Sequence, residues 1–398
     1  MAEKGAEYLI DIEKGLRRVL PYWHTYRVNA KGRWFNRRLL DVFAEEFKDQ
    51  QPAYYESAIS RGILAVNGNT VSTGYIIKSN DIVTHKTHKH EPPVSAEKIR
   101  ILRETDDVLV INKPASIPVH PTGRYNYNSV TEILKSKEFG FKNVFSVNRI
   151  DRHTSGIVLI ALTKDKAAQL SKDLADRNVE KTYLARVKGK FPDGITTCAE
   201  RIVVVANSVG INHVSPDGLP CETIFERLSF NGKTSVVKCT PKTGRMHQIR
   251  IHLQFLGYPI SNDPLYASQQ LWGPDLGKGG VSNSSEISAR VKATKLKRLL
   301  GDNSGSGSAS SKRPKSDADD QPNLTEAAEG NSGPATQDET KLAANSDFLQ
   351  FPCPGCRNPG PDPTQDELRI FLHALKYRGD DWSYESPEPQ WAKEDFQE

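Results

Sequence analysis

The chain has 398 residues, 37% of them hydrophobic, and a formal net charge of +5, which suits a folded core carrying polar segments. No apolar run approaches the ~20 residues of a bilayer-spanning helix. The first residues, Met1-Ala2-Glu3-Lys4-Gly5-Ala6-Glu7, lack both the apolar stretch of a signal peptide and the acid-free Arg pattern of a transit peptide.

The expectation is therefore a monomer, away from membranes, in the cytosol or nucleus, with mitochondria disfavoured. Five cysteines, Cys198, Cys221, Cys239, Cys353 and Cys356, are too few and too uneven for a disulfide framework. Cys353 and Cys356 form a C-x-x-C, but a tetrahedral metal needs four ligands. No second C-x-x-C or spaced Cys/His pair is evident, so no metal is expected. The charge is uneven: residues 303–398 hold nine Lys/Arg against eighteen Asp/Glu, leaving +14 on the first 302. A basic body fits a polyanionic partner such as RNA, and it equally fits an ordinary basic surface.

In chain order, residues 1–34 read as a polar leader with one short helical pattern around Tyr8 to Leu20. Leu39, Leu40, Val42, Phe43 and Phe47 fall at helical spacing. A second helix is expected over Ala58-Ile59-Ser60-Arg61, stopped by Gly62. Ile63-Leu64-Ala65-Val66 then meets Asn67-Gly68, a strong hairpin signal, and short strands continue around Gly74 and Asp81-Ile82-Val83. Two helices and a small β-ribbon over 35–90, with Arg37, Arg38 and Arg61 nearby, resemble the S4-like RNA-binding domain.

Glu91-Pro92-Pro93-Val94 reads as a linker. From residue 99 to 267 β-branched runs dominate: Ile99–Leu102, Val108–Ile111, Gly156–Ile160 and Ser235–Lys238. One amphipathic helix, Lys164 to Asp176, lies among them with Ala167, Ala168, Leu170, Leu174 and Ala175 on its apolar side. The class expected is α+β, on a largely antiparallel mixed sheet. Residues 303–346, poor in large apolar side chains, read as a disordered insertion in a domain spanning 95–390. Lys312-Arg313-Pro314-Lys315 within it is a short basic cluster. Structure resumes in Leu368 to Tyr377, read as a returning strand.

Three segments carry polar groups suited to chemistry. Asn148-Arg149-Ile150-Asp151-Arg152-His153-Thr154-Ser155-Gly156 sets an aspartate between two arginines just before a strand. Its carboxylate stays ionised, as a nucleophile or an anchor, or else it closes an Asx-turn. Lys181 to Val187 alternates as a strand, with Tyr183 either a core aromatic or a pocket wall. Thr243 to Leu253 packs Arg245, His247, Gln248, Arg250 and His252 into eight positions at a strand-to-helix junction. It reads as a solvated basic helix or as a wall aiming one arginine at a carboxylate.

Together with "V-I-N-K-P-A-S-I-P-V-H-P", the motifs "R-I-D-R-H-T-S-G", "K-T-Y-L-A-R-V" and "T-G-R-M-H-Q-I-R-I-H-L-Q-F-L-G-Y-P-I" resemble the RluA family of pseudouridine synthases over residues 99–267. The likeness resumes at 368–378. "L-H-A-L-K-Y-R-G" with Trp382, Tyr384 and Trp391 resembles the eukaryotic branch. The resemblance implies isomerisation of uridine to pseudouridine in RNA with neither metal nor organic cofactor, and tRNA position 32 as target. It implies that Asp151 is the nucleophile, that Tyr183 packs beneath the uracil and that Arg250 pairs with Asp151. Arg149 would fill the gap left by the flipped base. Arg152, Arg245, His247, Gln248, Arg37, Arg38 and Arg61 complete the RNA-binding set.

Asn148 departs from the family's usual His, and the 303–346 insertion is a second departure. Two other functions compete: an RNA-binding protein that keeps the fold without catalysis, and a glycosidic hydrolase. The latter would want a second carboxylate, and none stands near these motifs in the sequence.

Overall fold

The computed structural model describes residues 7–47, 50–206, 211–280, 284–293, 356 and 360–397. The expected disorder of 303–346 and the basic cluster at 312–315 lie outside the described residues. Among those described, no helix is long and apolar enough to cross a membrane.

The first elements are strands: β1 (Tyr8–Asp11) pairs antiparallel with β2 (Leu16–Val19). The helix expected from Tyr8 to Leu20 is thus replaced by a hairpin. Its physical reason lies far along the chain, where Leu16 and Arg17 pair with Ser95 and Val94. A local periodicity cannot register that partner. Next comes β3 (Tyr22–Asn29), also within the stretch read as a leader.

Two helices follow, α1 (Leu39–Glu46) and α2 (Pro52–Ser60), then β4 (Leu64–Val66) and β5 (Ile82–Lys89). β3 pairs with β5 along its whole length, and β5 with β4. Trp34, Leu39, Phe43, Tyr55, Ile59, Leu64 and Val83 form the core under this small sheet. Asn67 and Gly68 do turn the chain, both at positive φ. The turn is followed by one bridge, Val66 to Asn69, and no returning strand; β4 finds its partner in β5 instead.

β6 (Val94–Ser95) leads into the large sheet, which begins with β7 (Arg100–Glu104) and β8 (Val108–Lys113). Helix α3 (Val130–Lys135) and the short β9 (Phe145–Ser146) precede β10 (Ser155–Ala161). Helix α4 (Lys164–Ala175) matches the expected span and is capped by the Thr163 hydroxyl accepting from Lys166 N–H, as N-cap chemistry favours. Its buried side chains are Ala167 and Leu170, while Ala168 and Ala175 face solvent.

Strands β11 (Glu180–Lys188), β12 (Ile195–Cys198), β13 (Ile202–Ala206), β14 (Ile211–Val214), β15 (Thr223–Phe230) and β16 (Thr234–Pro241) come next. Then follow α5 (Gln248–Phe255), α6 (Gln269–Trp272) and α7 (Ser284–Ala293), and last β17 (Leu372–Arg378) and β18 (Ser383–Glu385).

The large sheet runs β12-β15-β16-β11-β17-β10-β8-β7, with β9 on β10 and β18 on β17. Its pairings are antiparallel except β10 with β17, as the α+β expectation requires. β17, the returning strand, enters between β10 and β11. It joins a core around Leu109, Ile111, Val158 and Ile160 to another around Leu184, Val237, Leu253 and Phe371. Asp151, Tyr183 and Arg250 come together at this seam.

Candidate active site

Asp151 sits in the loop that feeds β10. The turn is closed by main chain, Thr154 N–H donating to the Asp151 carbonyl at 3.1 Å. The carboxylate accepts from Arg250. Gly156 fixes where the loop ends: its φ is +111°, and a Cβ there would stand 2.3 Å from the Ala374 carbonyl oxygen of β17. Only glycine permits that approach. From beneath, the fully buried Lys113 donates to the carbonyls of Pro114, Ile117 and Arg152 at 2.8, 2.8 and 3.1 Å. Burial pulls its ammonium down to about 7.

The facing wall is the start of α5. His247, the residue before the helix, adopts a left-handed φ of +58°, which is uncommon outside glycine. The polar side chains around it divide. Gln248 and His252 point back into the sheet: the Gln248 amide accepts from Thr243 Oγ1 and Arg245 N–H and donates to the Glu222 carbonyl and Thr223 Oγ1. His252 meets Thr223 Oγ1 and the Glu200 carbonyl. Buried Gln248 has its side-chain amide engaged within the protein and braces the turn that carries Arg245 and His247.

Arg250 and His247 point toward Asp151. Arg250 Nη1 donates to Asp151 Oδ2 at 3.2 Å, and His247 Nε2 lies 3.6 Å from the same oxygen. The two-pronged pairing of Arg250 is made elsewhere, with Asp263: Nε to Oδ2 at 2.7 Å and Nη2 to Oδ1 at 3.0 Å. Asp263 also accepts from the Leu265 and Tyr266 N–H groups, and the guanidinium lies over the Tyr266 ring, 4.9 Å from its centroid. A second carboxylate does stand near the motifs, contrary to the reading of the sequence. It is 0% exposed against 26% for Asp151, so it anchors the arginine and faces no substrate.

The electrostatics follow. Burial pushes the Asp151 carboxyl upward, but His247 where it is charged in acid, Arg250 and Arg149 outweigh it and hold the group below its ordinary value. His247 is itself driven down to about 4 by burial and by Arg250, so near neutral pH the ring is uncharged and the arginines do the holding. Arg250 stays protonated: burial works against it, and Asp263 and Asp151 more than compensate.

Tyr183 comes from β11 at a shift in register between Thr182 and Tyr183. Its hydroxyl meets that of Tyr377 on β17 at 2.7 Å. Burial, then Tyr377, then the nearby negative charge of Asp151 push the Tyr183 phenol well above its usual value, so it is neutral. Asn148 Nδ2 donates to Tyr377 at 3.4 Å while its Oδ1 accepts from Leu159 N–H at 2.8 Å. The position where the resembled family has His thus reaches Tyr183 through one intervening phenol.

Arg149 is exposed beside this group. Arg152 lies 5.1 Å over the Tyr125 ring, and half-buried Arg245 donates to the Pro220 carbonyl at 3.4 Å. Arg37, Arg38 and Arg61 belong to the α1–α2 unit; Arg37 pairs with Glu45, and Arg38 makes two 2.8 Å bonds to Asp41. The sequence reading missed Asp263, Tyr266, Tyr377 and Lys113. For Lys113 there was a signal, since it lies in "V-I-N-K-P", but its burial was not legible.

The RNA pseudouridylate synthase family model matches residues 107–255. The chain is 42% identical to pseudouridylate synthase RPUSD2 of Mus musculus, across 100% of this chain and 75% of that protein. It is 36% identical to the tRNA pseudouridine(32) synthase, mitochondrial, of Saccharomyces cerevisiae, across 97% and 79%. It is 30% identical to the tRNA pseudouridine(31) synthase of the same yeast, across 96% and 97%. The mitochondrial relative overturns the expectation that set mitochondria aside in favour of cytosol or nucleus; the make-up of the first residues was too weak a ground for it. With likeness running the length of the chain and these motifs gathered at one seam, the chain belongs to the RluA-type RNA pseudouridine synthases, enzymes that isomerise uridine to pseudouridine in RNA.

Proposed function

We propose that Asp151 is the nucleophile of this isomerisation and that the substrate is a tRNA, modified in the anticodon loop at position 32. The observation that carries the first part is the single Arg250 bond to a partly exposed, anionic Asp151. A fixed carboxylate with one face open is equipped to attack and poorly equipped to donate a proton. The tRNA assignment is supported by the names of the two yeast relatives.

A uridine inside a folded loop must leave its stack first, at a cost of a few kcal/mol. Arg149 offsets this by filling the gap. Asp151 then attacks the flipped nucleotide at its sugar or its base, and the N-glycosidic bond breaks. The freed uracil turns over neutral Tyr183 and bonds to the sugar through carbon as the bond to Asp151 is released; the proton displaced from that carbon passes to solvent, and the ring nitrogen left by the broken glycosidic bond takes one up. Arg250 keeps Asp151 anionic throughout, through the fork that Asp263 holds in place. The unit of α1, α2 and the β3-β5-β4 sheet serves as an S4-like RNA-holding module.

Incubating purified protein with unmodified tRNA transcripts and mapping pseudouridine at single-nucleotide resolution tests the substrate. Conversion at position 32 supports the assignment. Conversion only at other positions or in other RNAs refutes the target, release of free uracil indicates hydrolysis, and binding without conversion indicates a non-catalytic protein.

A further inference from the structure

His88 lies near the end of β5 and His90 one residue past it, and their ring nitrogens meet at 3.2 Å. Cys356, 266 residues or more along the chain, lies against both. Cys356 Sγ is 3.4 Å from His88 Nδ1 and 3.3 Å from His90 Nε2, and the two ring nitrogens are 3.2 Å apart. A tetrahedral zinc with bonds of ~2.0–2.1 Å to nitrogen and ~2.3 Å to sulfur has edges of roughly 3.3 Å (N to N) and roughly 3.6 Å (N to S). The three contacts therefore match one face of such a tetrahedron in both size and donor type.

Hydrogen bonding explains the trio less well. Among three such groups, each contact needs a donor directed at an acceptor, and a thiol is a weak donor. One thiolate and two imidazoles are, by contrast, a set that zinc favours over magnesium or calcium. Cys353 falls outside the described residues, but it precedes Cys356 at the C-x-x-C spacing of zinc motifs.

We propose that His88, His90 and Cys356 bind a structural zinc ion. The ion ties the last strand of the α1–α2 unit to the segment that leads into β17. Closing so long a loop removes much of the freedom of the unfolded chain, so the ion stabilises the attachment of that unit to the catalytic sheet. It takes no part in the chemistry at Asp151.

The test uses the full chain, reduced, incubated with Zn2+ and freed of excess by gel filtration, with metal measured by mass spectrometry. About one zinc per chain should be retained by wild type, and the signal should fall to the buffer blank in Cys356→Ser and in His88→Ala/His90→Ala. Cobalt-loaded wild type should show a sulfur-to-cobalt charge-transfer band in the near ultraviolet. A chelator should lower the Tm of wild type and leave that of Cys356→Ser unchanged. The proposal fails if wild type retains no zinc above the blank, if Cys356→Ser retains as much as wild type, or if the cobalt form lacks the sulfur band. Because the cobalt band is read on wild type, a variant that misfolds does not obscure the answer.

Discussion

Arg250 divides its guanidinium between two aspartates, forking onto Asp263 with two bonds and reaching Asp151 with one. The fork sets the direction of the remaining nitrogen, so Asp263 positions the group that positions Asp151. Asp263→Ala should leave Arg250 buried without its main counter-charge. Breaking such a pair costs about 3–5 kcal/mol, so the thermal midpoint should drop by many degrees and conversion should fall with it. Arg250→Lys should also lose activity, because an ammonium cannot fork. Thermal unfolding with single-turnover assays measures both. Unchanged stability in Asp263→Ala would show that the fork does not hold the site.

Asp151 lies below its ordinary value because the surrounding positive charge outweighs burial. The rate of the chemical step should therefore be level across mildly acidic pH and fall only below the usual aspartate value of ~3.9. The sign for stability is the same. A depressed carboxylate contributes fully above its unfolded value and loses that contribution as pH falls through the folded one. Single-turnover rates against pH check this, and an acid limb near neutrality would contradict it.

Tyr183 and Tyr377 share one hydroxyl contact at 2.7 Å, with Asn148 beyond it. Tyr377→Phe should cost about 1 kcal/mol, a drop of roughly fivefold in kcat/KM. Tyr183→Phe keeps the aromatic ring and should cost a similar amount. Since both remove the same bond, the double variant should be little worse than either single one. Fully additive losses would separate the two phenols.

Gln248 is a structural brace. Gln248→Leu should destabilise the protein by about 1–3 kcal/mol, the penalty for leaving buried partners unsatisfied. The salt dependence of tRNA binding should not change, because no phosphate contact is lost. A changed salt slope with unchanged Tm would return Gln248 to the RNA surface.

Asp151, Tyr183 and Arg250 stood out through the resemblance of their motifs to the family, each segment alone being weak evidence, and the fold brings Arg250 onto Asp151. Helix α4 and the strand at 372–378 were legible because their patterns are local. What escaped depends on distant partners. Asp263 looks like a loop aspartate until the fold buries it against Arg250. Tyr377 lies beyond the long polar stretch and meets Tyr183 only because β17 inserts beside β11. The span from Tyr8 to Leu20 carries a short helical pattern, and pairing of β2 with β6 makes it a hairpin instead. Asn67-Gly68 gave the turn correctly, whereas the strand partner was set by burial of the β3-β5-β4 core.

The central claim is that Asp151 is the nucleophile. Wild type, Asp151→Asn and Asp151→Ala should be compared by single-turnover release of tritium from tRNA carrying 5-tritiated uridine, with tRNA affinity measured on the same preparations. The account predicts conversion by wild type, none by either variant, and affinities that stay within a few-fold of one another. Conversion by Asp151→Ala at a rate near that of wild type would contradict it.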